Sequence, residues 1–295
     1  MESDRPLNAP DDAPLTVSQL TLHPVKSCAG IAVDEALVID TGLEFDRAWM
    51  VVDAQDREFL SQRELPRMAL VQPTLRASDV LLRAPGMLAL HLQLDTVESP
   101  LRVRVWDDEV AAYDMGDLAA QWFSDFLGRR VRLARFDPEA RRLSSRKWTG
   151  DIEARNTFSD GFPILVASTA SLAELNRRLA AAGHGAVGMN RFRPNLVIDG
   201  LPDAHGEDFI DTLTIDSLDG DIVLKLVKPC SRCTIPDVNP ATAEQGHAIA
   251  DTMAAYRADP RLDSALTFGQ NAVIVSGFEH RLRVGARVRA ELAFD

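Results

Sequence analysis

The sequence has few of the residues and segments that would indicate secretion or a membrane. Of its 295 residues only three are cysteine, an odd number, so a disulfide framework is excluded and we expect a reducing compartment. Residues 1–14 are acidic and contain proline, without the basic and apolar segments of a signal peptide. No apolar run approaches the roughly 18 residues that span a bilayer. We therefore predict a cytoplasmic protein with no membrane partner and a disordered tail at residues 1–14.

Lysine is also scarce, and the overall charge is negative. Only four of the 32 basic residues are lysine, and the net charge is −12. This charge opposes nonspecific binding to the phosphate backbone of nucleic acid, so we expect no nucleic-acid partner. An anionic ligand must then be held by a local cluster of cations. Two of the four lysines, Lys26 and Lys228, stand two residues before a cysteine.

Cys230 and Cys233 form a Cys-x-x-Cys motif within residues 228–234, and Cys28 is the third cysteine. A strongly apolar, β-branched run at residues 221–227 predicts a strand that ends at this motif. Pro236 and Pro240 oppose a helix directly after it, which argues against a thioredoxin-type site. No second Cys-x-x-Cys or His-x-x-x-His is present to complete a zinc cage. From the residues alone, a zinc site completed by distant ligands and a buried thiol pair without chemistry both stay open.

Many short strands separated by turns predict a mainly β fold with some helices (α+β), built as barrels rather than as a doubly wound parallel sheet. The length suggests about two domains, with a boundary in the arginine- and serine-rich residues 137–148. We predict helices at residues 117–127, 171–182 and 241–256, and strands at residues 15–22, 31–39, 49–52, 69–71, 80–82, 88–94, 101–106, 164–166, 196–198 and 272–275. A closing hairpin is predicted from residues 282–284 and 286–292 around Gly285.

Two features of the second half point to an anion. Ser168 and Thr169 lie just before the second helix, whose start we assign to a capping box of Ser171 and Glu174. A helix start with such hydroxyls can bind phosphate through free backbone N–H groups, although an ordinary capped helix explains the same residues. Arg193, shortly before the strand at 196–198, offers a bidentate donor at the end of a sheet.

Four short motifs together resemble one family. His-Pro-Val-Lys-Ser-Cys at residues 23–28, Phe-Asp-Arg-Ala-Trp at 45–49, Phe-Arg-Pro-Asn at 192–195 and Lys-Pro-Cys-Ser-Arg-Cys at 228–233 occur in this order in MOSC-domain proteins. More narrowly, the chain resembles the mitochondrial amidoxime-reducing components and their bacterial relatives. The resemblance implies an N-terminal MOSC β-barrel domain at residues 15–136 and a MOSC β-barrel domain at residues 137–295.

The resemblance further implies a molybdenum cofactor, Mo-molybdopterin, in which the pterin supplies two sulfurs and one protein cysteine completes the metal's ligands. Cys233 matches the family's ligand and is the expected catalytic and metal residue, with Cys230 as a neighbour. Arg232 and Lys228 would favour the thiolate through their positive charge. Carried over from the family motifs, and for Ser168 and Thr169 from the helix start, the expected cofactor contacts are Lys26, Ser27, Arg47, Ser168, Thr169, Arg193, Asn195 and Ser231.

The implied reaction is the reduction of small N-hydroxylated compounds such as amidoximes, hydroxylamines and N-hydroxylated bases. Electrons would come from a separate ferredoxin- or cytochrome-type protein that is fed by a nicotinamide-dependent reductase. Two alternatives from other classes stay open. In the first, the chain is a carrier that binds molybdenum cofactor without catalysis. In the second, it is a sulfur-transfer protein like the MOSC part of cofactor sulfurases.

Overall fold

The computed structural model of the protein describes residues 14–293, so almost all of the predicted tail lies outside the described residues. Within this range, strands predominate and helices are few, which confirms the mainly β prediction. The helices are α1 Gly116–Leu127, α2 Arg146–Thr149, α3 Thr169–Ala181 and α4 Ala248–Ala254. None of the helices in residues 14–293 is long and apolar enough to cross a membrane.

The first half contributes strands β1 Leu15–Leu22, β2 Ile31–Val33, β3 Glu35–Ile39, β4 Gly42–Leu43, β5 Trp49–Asp53, β6 Gln72–Leu75, β7 Asp79–Arg83, β8 Leu90–Gln93, β9 Ser99–Val105, β10 Asp108–Asp114 and β11 Val131–Phe136. The second half contributes strands β12 Ile164–Ser168, β13 Leu196–Asp199, β14 Ile210–Ile215, β15 Ile222–Ser231, β16 Ala258–Asp259, β17 Ala265–Ser276, β18 Arg281–Arg283 and β19 Arg287–Leu292.

Seven strands close into a barrel in the order β12, β13, β1, β19, β14, β15 and β17, and β17 pairs back with β12. Closure removes exposed sheet edges and buries an aliphatic interior. Strand β1 alternates buried and partly exposed residues and lies between β13 and β19. The barrel therefore includes a strand from the start of the described chain, while the domain boundaries at residues 136 and 137 remain a prediction.

The rest of the first half forms three smaller sheets. Strands β5, β11, β10 and β9 make one sheet and β6, β7 and β8 a second. In the third, β3 lies between β4 and the late strand β18 and pairs with both. Helix α1 packs its aromatic face into the core of this half. Both ends of the chain thus contribute strands to structures formed mainly by the other half.

Helix α1 forms where the sequence predicts it, within one residue at its start. Its buried face comprises residues at helical spacing, namely Ala119, Trp122, Phe123 and Phe126. Gly128 ends the helix in a left-handed conformation, and its N–H donates to the carbonyl of Ser124 at 2.8 Å. Leu118, which we included in the apolar stripe, is 76% exposed. It lies near the start of the helix, on the solvent side of that face.

Three predictions of local structure are wrong. Residues 69–71 were predicted as a strand, but Ala69 and Leu70 belong to a 3-10 helix over Pro66–Leu70 and Val71 follows it, because Pro66 fixes the start of a turn. The helix predicted at residues 241–256 is confined to Ala248–Ala254. The two closing strands form as predicted but do not pair with each other: β18 pairs with β3, and β19 pairs with β1 and β14.

Gly269 permits the close approach that seals the barrel between β12 and β17. Its φ is +75°, a left-handed value, and a Cβ atom there would lie 2.5 Å from the carbonyl oxygen of Val166. A backbone oxygen of a paired strand cannot move aside cheaply. Glycine is therefore required at this position for two independent reasons, one conformational and one steric.

We expect Gly269→Ala to lower the free energy of unfolding by roughly 2–5 kcal/mol, since a left-handed non-glycine residue costs about 1–3 kcal/mol and overpacking adds a similar amount. Gly285→Ala is the matched control, because Gly285 has a φ of +82° with no atom within 4 Å of a Cβ. It should lose only about 1–2 kcal/mol. Denaturant unfolding of both variants checks this, and equal losses would contradict the steric argument.

Candidate functional site

A cleft opens beside the end of β15, where the two halves of the chain meet. It encloses about 800 Å³, counting its open mouth. Seven of the nine residues predicted for the site line it: Lys26, Ser27, Arg47, Arg193, Asn195, Ser231 and Cys233. These residues come from sequence segments about 200 positions apart, so folding alone brings them together.

The lining of the cleft is cationic. Its charged side chains are Lys26, Arg47, Arg63, Arg193 and Arg232, against a single carboxylate, Asp160. The chain as a whole carries a net charge of −12. Positive charge concentrated in a concave site of an acidic protein favours an anionic ligand there over the rest of the surface.

Arg47 joins the two halves at the base of the cleft. Its Nη1 atom donates to Asp46 Oδ2 at 2.5 Å and to Asn195 Oδ1 at 3.0 Å, and Nη2 donates to the carbonyl of Arg193 at 3.1 Å. Burial alone would raise the pKa of Asp46, but Arg47 and His23 outweigh it and hold that pKa at about 2. The ion pair is therefore intact across the physiological pH range.

Asn195 completes this junction from the second half. Its side-chain oxygen also accepts the backbone N–H of Leu165 at 3.1 Å, and its amide nitrogen donates to the carbonyl of Thr21 at 3.3 Å. The side chain is thus held by β1 and β12 as well as by Arg47. An asparagine with all these partners is fixed in one orientation.

Arg193 extends from the second half towards the first. Its Nη1 donates to the carbonyl of Cys28 at 2.6 Å. Burial, together with the positive charge of Arg47, lowers the pKa of Arg193 to about 10. The guanidinium therefore stays charged at neutral pH, with the cation of Arg47 close by.

Lys26 is almost completely buried in the wall of the cleft. Its ammonium donates to the carbonyl of Phe158 at 2.7 Å and to Asp160 Oδ1 at 2.5 Å, and it lies 5.2 Å from the ring centre of Phe59. Burial lowers the pKa of Lys26, while the attraction of Asp160 opposes that shift. A buried cation with one carboxylate partner retains an ammonium hydrogen for a further acceptor.

Backbone strain is concentrated among the predicted site residues. Ser27, Arg47 and Arg193 have φ values of 67°, 49° and 58°, in the left-handed region that non-glycine residues rarely adopt. Each such residue costs on the order of 1 kcal/mol or more and persists only where surrounding contacts hold it. Three in one cleft indicate that the fold positions these side chains at the expense of stability.

The cysteines differ in their environments. Cys28 is buried, Cys230 is half-buried near the end of β15, and Cys233 is exposed just beyond it. Arg232 Nη1 lies 3.0 Å from the sulfur of Cys230, and Nη2 donates to the carbonyl of Phe192 at 2.8 Å. Arg232 thus supports Cys230 directly and leaves Cys233 as the accessible thiol of the cleft.

Lys228 does not take the place that we expected for it. Its ammonium lies 5.2 Å from the ring centre of Trp148, a cation–π contact, and the residue does not line the cleft. Lys228 is carried by strand β15, whose neighbouring residues alternate in direction. Its proximity to the cysteines in sequence therefore does not place Lys228 in the lining of the cleft.

Ser168 and Thr169 also lie away from the cleft, and the structure corrects their assignment. Ser168, rather than Ser171, caps α3 by accepting the Ser171 N–H at 3.1 Å. Both serine hydroxyls donate to the buried carboxylate of Glu207 at 2.7 Å, and Thr169 donates to Asp199. A carboxylate from a distant segment thus takes the place that we predicted for phosphate.

Several cleft residues carried no signal in the sequence. Phe59, Ser61 and Arg63 reach the cleft from the segment between β5 and β6, and Asp160 from the loop before β12. None of them belongs to one of the four motifs, and a lone arginine in a polar segment is usually a surface charge. These residues reach the cleft through contacts between segments that are distant in the sequence, which local sequence patterns do not show.

Two family descriptions match the chain: "MOSC N-terminal beta barrel domain" over residues 14–130 and "MOSC domain" over residues 153–289. The rat protein named mitochondrial amidoxime reducing component 2 is 35% identical over 238 residues, which cover 77% of this chain and 68% of the rat protein. The human mitochondrial amidoxime-reducing component 1 is 36% identical over 236 residues, with coverages of 77% and 67%.

The human molybdenum cofactor sulfurase is also similar, at 29% identity over 253 residues. These residues cover 80% of this chain but 28% of the sulfurase. The chain thus spans about two thirds of the amidoxime-reducing components and a much smaller part of the sulfurase. All these matches agree with the resemblance carried by the four motifs.

The buried carboxyl of Glu207 gives a pH-dependent prediction. Burial raises the pKa of Glu207 above its ordinary value of 4.5, although Ser171 and Ser168 donate to it. Folding therefore favours the protonated form, and this contribution is lost as pH rises from about 4.5 through the raised value. We expect Glu207→Gln, which cannot titrate, to gain stability relative to the wild type between about pH 5 and about pH 9.

Urea unfolding at both pH values measures the difference. Glu174→Gln, on helix α3 whose first turn binds Glu207, is the control, because hydrogen bonding to Arg177, with Arg178 nearby, lowers the pKa of Glu174 to about 2. Its difference from the wild type should stay constant over that range. A Glu207→Gln difference that is equally constant would contradict the buried-carboxyl account.

Proposed function

We propose, from the premise that this chain belongs to the MOSC family and is related to the amidoxime-reducing components, that it is a molybdenum-cofactor-dependent oxidoreductase. Its substrates would be small N-hydroxylated compounds, which it would reduce with electrons from a separate redox protein. The relatives are named for amidoxime reduction, and that activity comes to this chain as part of the proposal.

One observation carries the proposal: a single exposed thiol, Cys233, faces a cleft with five cationic side chains and one carboxylate. A pterin cofactor brings its own sulfur ligands and an anionic phosphate. It therefore needs from the protein one soft ligand and a localised set of cations. Within residues 14–293, no three histidine, cysteine or acidic side chains lie close enough to hold a metal by themselves.

The donor groups of the cleft fit such a cofactor. The Nε atom of Arg232 is buried and has no hydrogen-bond partner among residues 14–293, and a buried donor without a partner is costly. Burial and the positive charge of Arg47 lower the pKa of Arg193, and an anion bound beside the two guanidinium groups would relieve their repulsion. Lys26, Ser27, Arg47, Arg193, Asn195 and Ser231 would hold the pterin and its phosphate, and Cys233 would bind the metal.

The bound cofactor would supply a metal centre that accepts oxygen and electrons. The chain's own residues would position the substrate and control its surroundings. The Cys233 thiolate would hold the metal centre within the cleft, where the substrate would bind. The junction of Arg47 with Asp46 and Asn195 would keep the cationic wall in place during turnover. Reduction of an amidoxime to an amidine consumes two electrons and two protons and releases water.

The electron donor and the cellular location belong to the same proposal. A separate ferredoxin- or cytochrome-type protein, supplied by a nicotinamide-dependent reductase, would deliver electrons at the cleft. The three cysteines are all free thiols, which suits the reducing cytoplasm. The amidoxime-reducing relatives are named as mitochondrial proteins, so location is a point on which this chain would differ from them.

Turnover with an artificial electron donor tests the proposal. We expect the protein, purified with its cofactor and given a reduced viologen, to convert benzamidoxime to benzamidine. Cys233→Ser should lose more than about 100-fold in rate, since even groups that only support a metal's ligands contribute roughly 10–100-fold. Cys230→Ser is the matched control and should keep most of the activity. The sulfur of Cys230 accepts a hydrogen bond from Arg232, and this residue is less exposed than Cys233.

Other outcomes favour the alternatives. Cofactor that copurifies without any turnover would indicate a carrier. A persulfide on Cys230 or Cys233, detected by mass spectrometry, would indicate sulfur transfer. Full activity in Cys233→Ser would contradict the assignment of the ligand.

A further inference from the structure

A cation and two aromatic rings form a ledge at the side of the cleft, which we define by Phe59, Arg63 and Trp106. The guanidinium of Arg63 lies 4.5 Å from the ring centre of Trp106 and 5.7 Å from that of Phe59. The two rings are themselves 4.9 Å apart. Phe59 and Arg63 line the cleft, so the ledge continues its cationic wall outwards.

The backbone explains why these residues meet. The N–H of Phe59 donates to the carbonyl of Arg104 at 3.0 Å, which fixes the segment after β5 alongside strand β9. Strands β9 and β10 form a hairpin in which Val105 pairs with Asp108, so Trp106 lies in its two-residue turn. The tip of this hairpin therefore stands next to the cleft.

Trp106 is an unusual residue for its position. Its φ is 57°, and two-residue hairpin turns with positive φ usually contain glycine, asparagine or aspartate. A bulky side chain in this conformation is strained. The indole is nevertheless 42% exposed, so the turn keeps a large apolar surface in solvent at a cost in conformational energy. Strain together with exposure beside a site points to a role in binding.

The guanidinium of Arg63 has hydrogen-bond donors that contact no acceptor among residues 14–293. Its Nε atom donates to Ser61 Oγ at 3.1 Å, which fixes the plane of the guanidinium. No carboxylate among residues 14–293 lies within 4 Å of it, and its two terminal nitrogens have no hydrogen-bond partner in that part of the chain. A fixed guanidinium with both terminal nitrogens free is suited to bidentate binding of a carboxylate or phosphate.

We propose that this ledge selects the substrate: it binds N-hydroxylated compounds that carry a planar aromatic ring together with an anionic group. The ring would stack on the exposed face of Trp106, and the anion would accept hydrogen bonds from the terminal nitrogens of Arg63. This inference rests on the proposed function, since it names the class of substrate for the same cleft. It goes further in assigning selectivity to three residues that lie outside the four motifs.

The test compares two compounds with the same ring, benzamidoxime and 4-carboxybenzamidoxime. Binding to the cofactor-loaded protein is measured by calorimetry without an electron donor, so no turnover occurs. We expect the wild type to bind the carboxylate at least about tenfold more tightly, as for one charge-assisted bidentate contact. Arg63→Gln should reduce this ratio to about one, because the amide lacks the charged fork.

Two further variants distinguish specific binding at the ledge from a general effect of positive charge on affinity. Arg67→Gln is the matched control, since Arg67 also lies over an aromatic ring, that of Phe126, at 4.6 Å but does not line the cleft. It should keep the wild-type ratio. Trp106→Gly should weaken binding of both compounds by a similar factor while the protein stays folded, because glycine adopts the turn's φ without strain. Circular dichroism checks the fold.

The outcomes of this binding test can be told apart from those of the turnover test of the proposed reaction. If the binding preference is present and depends on Arg63, but neither compound is reduced when a donor is added, the proposed reaction fails and the ledge stands. If both compounds are reduced and Arg63→Gln keeps the wild-type ratio, the ledge is refuted. Loss of molybdenum and pterin from Arg63→Gln would also refute it, because Arg63 would then bind the cofactor instead of the substrate.

Discussion

The Arg47 guanidinium is the contact on which the geometry of the cleft depends. It binds Asp46 in its own motif and Asn195 and the Arg193 carbonyl in a motif almost 150 residues later. Because both motifs use left-handed backbone at their arginines, each needs the other to hold its conformation. The network therefore does two things at once. It joins the halves of the fold, and it sets the spacing of the cations that face the cleft.

Concentration of positive charge in one cleft has a cost in free energy, which two carboxylates, the buried Asp46 and the exposed Asp160, partly offset. Asp46 neutralises part of the charge of Arg47, and Asp160 does so for Lys26. Burial and the nearby positive charge of Arg47 still lower the pKa of Arg193, although Asp46 and Asp160 oppose that shift, so repulsion between the cations of the cleft persists. A bound anion would remove this repulsion. The proposed cofactor would thus stabilise the folded chain as well as serve its chemistry.

The sequence predicted those elements whose signal is local. The alternation of residues 15–22 predicted β1 with its observed ends, and the four motifs predicted seven residues that now line one cleft. Strand β15 was predicted too short because the apolar run ends at residue 227, whereas the pairing with β17 shifts register near Pro229 and continues to Ser231. The bulge depends on a partner strand, which local sequence does not reveal.

The errors have the same origin in contacts between distant segments. Ser168 and Thr169 have the composition of a phosphate-binding helix start, but Glu207, 39 residues beyond Ser168, occupies that position. The final two strands looked like a hairpin, but each finds its partner in the first half or in β14. Arg63 was not predicted because its contact with Trp106 depends on a hairpin turn more than 40 residues away.

X-ray absorption at the molybdenum edge tests the central claim most directly, because it counts the sulfur atoms bound to the metal. The account predicts three sulfur ligands in the wild-type protein and in Cys230→Ser, two from the pterin and one from Cys233. In metal-loaded Cys233→Ser it predicts that one sulfur is lost. An unchanged sulfur count in Cys233→Ser, or a loss in Cys230→Ser instead, would contradict it.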